Sequence, residues 1–146
     1  MNGRKNFLST PLKELIGGKS AASVEKAFGI TTAGELLNHY PRRYIDRGNL
    51  TPFDKVEVGV PVTILATIKG VDSRRMQHKR GFILVVSVSD GVESMELTFF
   101  NQKWRERELK VGRIGLFAGT VSEFRGVRTL THPQYALFTD TGNAVS

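Results

Sequence analysis

Between residues 12 and 37 the apolar positions recur at three- and four-residue spacing: Leu15 and Ile16, then Val24 and Phe28, then Leu36 and Leu37. That period predicts short helices with one buried face. Gly17-Gly18 separates the first from the second, Gly29 stands where a helix C-terminal glycine belongs, and Thr32-Ala-Gly-Glu35 has the spacing of a capping box that opens a third. Pro41 ends that helix, because the residue before a proline is pushed out of the α region. After an irregular stretch over residues 39–60 the period shortens to two. Val62, Ile64, Ala66 and Ile68 alternate with Thr63, Leu65, Thr67 and Lys69, and this first strand runs into a polar loop over residues 71–80. A second strand, residues 82–89, reaches Asp90-Gly91, a two-residue hairpin signal of type I′, and a third returns over residues 93–100.

Residues 101–109 carry charge without alternation and are closed by Gly112, which predicts one short helix. Two further strands, residues 113–123 and 127–137, flank Arg125-Gly126. Pro133 belongs at a bulge or an edge, since it has no N–H to give to a ladder. Five short strands with a helix between the third and fourth is the order of an OB-fold barrel. The expected architecture is therefore mainly β: a five-stranded OB-fold barrel over residues 50–138, a small helical segment over residues 1–49, and a tail over residues 139–146.

Composition narrows what such a barrel can do. A chain of 146 residues, 40% of them hydrophobic, suffices for one core and a small appendage. No cysteine is present, which removes disulfides and thiolate metal sites, and His39, His78 and His132 are too far apart for a local zinc motif. Residues 1–11 lack the apolar stretch of a signal peptide and no apolar run approaches the ~18 residues of a membrane span, so a soluble, cytoplasmic protein with no membrane partner is expected. Lys and Arg outnumber Asp and Glu by 21 to 14, a net charge of +7 that draws polyanions and favours nucleic acid.

No enzyme motif stands out. Gly17-Gly18-Lys19-Ser20 ends like a phosphate loop, but Lys13 occupies the place of the upstream glycine and no strand precedes it. The chain reads as no enzyme on its own, with no cofactor. Two features point to DNA instead. The segment over residues 69–81 holds Lys69, Arg74, Arg75, Lys79 and Arg80 against Asp72, and in OB-folds the loop between the first two strands borders the ligand face. It reads either as a phosphate-binding loop, with Arg74, Arg75, Lys79 and Arg80 as the contacts, or as a solvated tip. Arg125 and Arg128 at the other hairpin are weaker candidates. In the third strand Met95, Leu97 and Phe99 share the core parity, whereas Phe100 has the parity of Glu96 and Thr98 and faces outward. Trp104 follows four residues later among Lys103, Arg105 and Arg107, a combination of ring and cation suited to unpaired bases. The competing reading is that both rings cap the bottom of the barrel. Lys103 and Arg105 complete the set of expected phosphate contacts.

The run His39-Tyr-Pro-Arg-Arg-Tyr-Ile-Asp-Arg47, following Gly29-Ile-Thr-Thr-Ala-Gly-Glu-Leu-Leu37, resembles the signature beside the wedge domain of RecG ATP-dependent DNA helicases, and Phe99-Phe-Asn-Gln102 and His132-Pro-Gln-Tyr135 continue the likeness. The resemblance implies recognition of replication forks and Holliday junctions, fork reversal and branch migration, with Phe100 and Trp104 as the ring pair stacking on bases where strands part. It implies helicase motor domains of the same full-length protein as partners, with ATP and magnesium belonging to them. Residues 15–37 also resemble a helix-hairpin-helix, although Gly17-Gly18-Lys19 departs from the usual Gly-apolar-Gly hairpin, and packing on the barrel is the role expected of them. Arg42, Arg43 and Arg47 fit either a DNA arm or pairing with Asp46 and Asp54. Two other readings stay open: a general single-stranded nucleic-acid module, and a protein-docking domain of the same fold.

Overall fold

The computed structural model describes residues 11–37, 50–76, 80–138 and 144–145. Three helices come first: α1 Lys13–Ile16, α2 Gly18–Phe28 and α3 Ala33–Leu37. Gly17, at φ 89°, breaks the chain between α1 and α2. Gly29 adopts the left-handed conformation that ends α2, its N–H donating to the Glu25 carbonyl at 2.8 Å. The capping box forms in both directions. The Glu35 N–H donates to Thr32 Oγ1 at 3.3 Å, and Glu35 Oε1 accepts from the Thr32 N–H at 3.2 Å and from the Thr31 N–H at 3.2 Å. These donors, the Thr31 N–H foremost, hold the Glu35 carboxyl below its ordinary range.

A short 3-10 turn, Phe53–Lys55, leads into the sheet. The strands are β1 Pro61–Arg75, β2 Phe82–Ser89, β3 Ser94–Phe100, β4 Ile114–Phe124, β5 Val127–Thr131, β6 Gln134–Phe138 and β7 Ala144–Val145, with a second 3-10 helix, Lys103–Arg107, between β3 and β4. Neighbours run β1-β2-β3-β5-β4, β4 pairs back onto β1, and β3 and β5 are parallel, so five strands close a ring in the OB-fold order.

Four local expectations are corrected. The first strand does not stop at Lys69: a bulge between Ile68 and Gly70 lets β1 continue, paired with β2 as far as Arg75↔Phe82. The β2–β3 connection is not a two-residue type I′ turn. Its ladder ends at Ser89↔Ser94, and Asp90 Oδ1 organises a four-residue loop by accepting from the N–H groups of Val92 and Glu93 at 2.9 and 2.8 Å. The fifth strand splits at His132 (φ 47°) and Pro133 into β5 and β6, in keeping with the missing N–H. Within the expected tail, β7 pairs with the open edge of β6 through Leu137↔Val145 and Phe138↔Ala144. At Arg125-Gly126 the two-residue hairpin is present, with φ 53° and 81° between the paired Phe124 and Val127.

Two apolar clusters hold the molecule together. Inside the ring lie Ile64, Ile68, Leu84, Val86, Met95, Leu97, Phe99, Phe117 and Leu130, all essentially inaccessible. The second cluster lies outside it, where Leu12, Ile16, Val24, Ile30 and Leu36 of the helical segment pack on Leu65, Ile114, Leu116, Ala136 and Phe138. The buried Thr67 hydroxyl donates to the Ile16 carbonyl at 3.0 Å, supplying one of the partners that a helix C-terminus lacks. At the α1–α2 turn Gly17 lies against Gly91 so closely that a Cβ on Gly91 would stand 2.7 Å from the Gly17 Cα. Of the Gly17-Gly18-Lys19 run, Gly17 thus packs on the barrel, whereas Gly18 and Lys19 are exposed.

Candidate nucleic-acid interface

Strand parity fixes the starting point. Phe99 is turned into the core and Phe100, opposite Ile83, faces outward with 40% of its surface exposed. Its N–H donates to His132 Nε2 at 3.2 Å, and the two rings lie 5.9 Å apart. The chain then turns at Asn101, φ 59°, whose N–H donates to the Phe82 carbonyl at 2.8 Å while its Oδ1 accepts from the Phe82 N–H at 3.2 Å. Residue 81 must be glycine for this, because a Cβ there would lie 2.1 Å from Asn101 Oδ1 and φ is 137°. Trp104 comes next in the 3-10 helix, 53% exposed. Both rings expected to stack on bases are therefore exposed, Phe100 at the end of β3 and Trp104 just beyond it.

Arg105 sits beneath this corner. Its Nε donates to Gln102 Oε1, its Nη1 donates to the Tyr135 hydroxyl at 2.7 Å, and its guanidinium lies over the Trp104 ring at 4.3 Å and over Phe99 and Tyr135 at 5.0 and 5.2 Å. The Tyr135 hydroxyl in turn donates to Glu108 Oε1. Burial, with that bond to a carboxylate, pushes the phenol up to about 12 despite the nearby guanidinium.

The segments that resemble the helicase signature thus converge: residues 99–102 and 132–135, far apart in sequence, share the Phe100–His132 hydrogen bond and the Gln102–Arg105–Tyr135 chain. The RecG wedge domain model matches the chain over residues 13–144. The chain belongs to the RecG wedge domain family. It is 32% identical over 133 residues to the ATP-dependent DNA helicase RecG of Mycobacterium leprae, covering 89% of this chain and 18% of that protein. With the RecG of Pasteurella multocida the identity is 34% over 136 residues, 90% of this chain and 19% of the relative. The structure of RecG bound to a three-way DNA junction superposes with a TM-score of 0.55 at 27% identity, over 88% of this chain and 18% of that one. The wedge domain here spans less than a fifth of the length of these relatives.

Of the expected phosphate contacts, Arg75 and Lys103 are brought together: both cations sit over the half-buried Phe82 ring, at 5.7 and 5.2 Å, joining the β1–β2 ribbon to the 3-10 helix. Arg74 and Arg75 lie on strand rather than on a loop. Arg74 pairs with Asp72 at 3.1 Å across open surface, a contact worth about 0–1 kcal/mol. Arg80 is exposed, and Lys79 lies outside the described residues, as do Arg42, Arg43 and Arg47. Arg128 donates to the carbonyls of Phe53 and Val56 at 2.7 and 3.3 Å and pins the first 3-10 turn to the barrel. Arg125 stacks on the exposed Phe124 at 5.2 Å, away from Phe100, because β5 runs parallel to β3 and starts at the opposite end. Phe82, Asn101, His132 and Tyr135 were not anticipated as parts of the site. The likeness at residues 99–102 and 132–135 marked three of them without saying what they do. Among the described residues no cluster of His, Asp or Glu could hold a metal, and no helix is long and apolar enough to cross a membrane.

Proposed function

We propose that this wedge domain binds branched DNA, with Phe100 and Trp104 stacking on bases where the strands part and Arg74, Arg75, Lys79, Arg80 and Lys103 holding phosphates. The observation that carries the reading is the pair of exposed rings at one end of β3, flanked by the Arg75 and Lys103 cations around Phe82. An exposed aromatic gains about 1–3 kcal/mol per stacked base, and each phosphate contact adds charge-driven affinity that falls with salt. The structural relative bound to a three-way junction supports this choice of partner. In the full-length protein the domain would stand as a passive edge against which duplex arms are drawn, serving fork reversal and branch migration in the cytoplasm, at the nucleoid. Motor domains of the same protein, carrying ATP and magnesium, would supply the pull. By itself the domain is a non-catalytic binding module.

A competition between a three-way junction, plain duplex and single strand, at equal nucleotide concentration, tests the reading. Preference for the junction is the expected result. Preference for single strand would turn the domain into a general single-strand binder, and absence of binding to all three would return the exposed rings to a protein-docking role.

A further inference from the structure

A guanidinium that ligates phosphate presents its donors to solvent. Arg105 turns two of its five donors inward instead: it is half-buried, its Nε and Nη1 are bonded to Gln102 and Tyr135, and three aromatic rings lie within 5.2 Å of its central carbon. We propose that Arg105 is a positioning residue that fixes the plane and exposure of the Trp104 ring and does not itself bind phosphate. The proposal rests on the reading that Trp104 stacks on DNA bases.

The geometry gives the reason. A guanidinium is flat and its donors diverge at fixed angles, so two hydrogen bonds made in different directions settle its plane. Gln102 supplies one from the same 3-10 turn, and Tyr135 supplies the other from β6, which anchors that plane to the barrel. Tyr135 donates its own proton to Glu108 and stays protonated far above neutral pH, leaving its oxygen free to accept from Arg105. Trp104 needs such an anchor. It stands on five residues of 3-10 helix, whose hydrogen bonds are weaker than those of an α-helix, and more than half of its surface meets water. A ring free to change rotamer loses that freedom on stacking and binds less tightly, whereas a ring already held over a cation does not. Arg105 occupies one face, so the ring offers the other to a single base.

Trp104 is the sole tryptophan, so its emission reports on this ring alone. Without DNA, Arg105→Lys and Arg105→Gln should both raise the fast component of Trp104 anisotropy decay and its quenching by acrylamide. Tyr135→Phe, which leaves the charge and the half-buried ring in place, should do so to a smaller extent and keeps the test intact if an Arg105 variant folds poorly. With a three-way junction, both Arg105 variants should lose affinity by about 3- to 10-fold, the range of one partly desolvated cation–π contact. Their log–log salt slope should match the wild type, whereas Lys103→Gln should lower it by up to about 0.9. An Arg105→Lys protein with wild-type affinity and anisotropy, or a slope that falls by about one unit in Arg105→Gln, would make Arg105 a phosphate ligand and overturn the proposal. If the anisotropy responds as expected but Trp104→Ala binds the junction normally, the stacking reading fails while the clamp on the ring stands.

Discussion

The two walls of the barrel follow one strand parity and end differently. On β1, β4 and β6 the outward positions include Leu65, Ile114, Leu116, Ala136 and Phe138, and the helical segment covers them. On β2 and β3 the outward positions are Ile83, Val85, Ser87, Glu96, Thr98 and Phe100, half-buried along the wall and exposed at its end. An outward apolar residue therefore has no fixed meaning on its own. Under the helices it is part of a second core, and at the end of β3 it stays open to water.

The comparison breaks first on stability. Leu116→Ala, on the covered wall, should cost about 2–5 kcal/mol in denaturant unfolding and leave junction affinity of the folded protein unchanged. A loss under about 1 kcal/mol would mean that the helices merely rest on the barrel. Gly91→Ala forces a Cβ toward the Gly17 backbone at φ 99°, and should cost about 1–3 kcal/mol by the same measurement. Phe100→Ala and Trp104→Ala, on the open wall, should do the reverse. Each should lose about 1–3 kcal/mol of junction affinity while melting close to the wild-type temperature, and a large drop in melting temperature would class the rings as core.

Charge sharpens the contrast further. Replacing Arg74, Arg75, Lys79 and Arg80 together with Gln should reduce the salt slope of junction binding by about 3 to 4, at ~0.9 per contact, whereas replacing Lys13, Lys19 and Lys26 on the helical side should leave it unchanged. The smallest effect is acid sensitivity at the start of α3. The Glu35 carboxyl is held below its unfolded value, so its contribution is present above the ordinary carboxylate range and is lost as pH falls through the lowered folded value. The stability gap between wild type and Glu35→Gln should close on acidification below about pH 4, and a gap independent of pH would show that the carboxylate charge plays no part.

What was legible in the sequence was local or periodic. Gly29, the Thr32–Glu35 box and the Arg125-Gly126 hairpin act within a few residues, and the alternation along the strands announced the OB-fold order. The extension of β1 was not legible, because beyond Ile68 its side chains turn polar and only pairing with β2 keeps the strand going. Nor were the partners of Arg105, since Tyr135 lies 30 residues away and is reached only when the ring of strands closes. Asn101 and Gly81 escaped for the same reason, their fit being a matter of ångströms across a ladder.

The position of β3 has a mechanical consequence. The strand ending at Phe100 is bonded along both flanks, to β2 from Ile83↔Phe100 to Ser89↔Ser94 and to β5 from Glu96↔Thr129 to Thr98↔Thr131. A force that meets the Phe100 ring and acts along the strand strains both ladders in shear, so their hydrogen bonds resist together; a force that peels an edge strand breaks its bonds one after another. The two-pair β6–β7 edge would yield to tension long before β3 slid from its place. The exposed Phe100 ring is thus mounted on a strand held along both flanks and not on an edge.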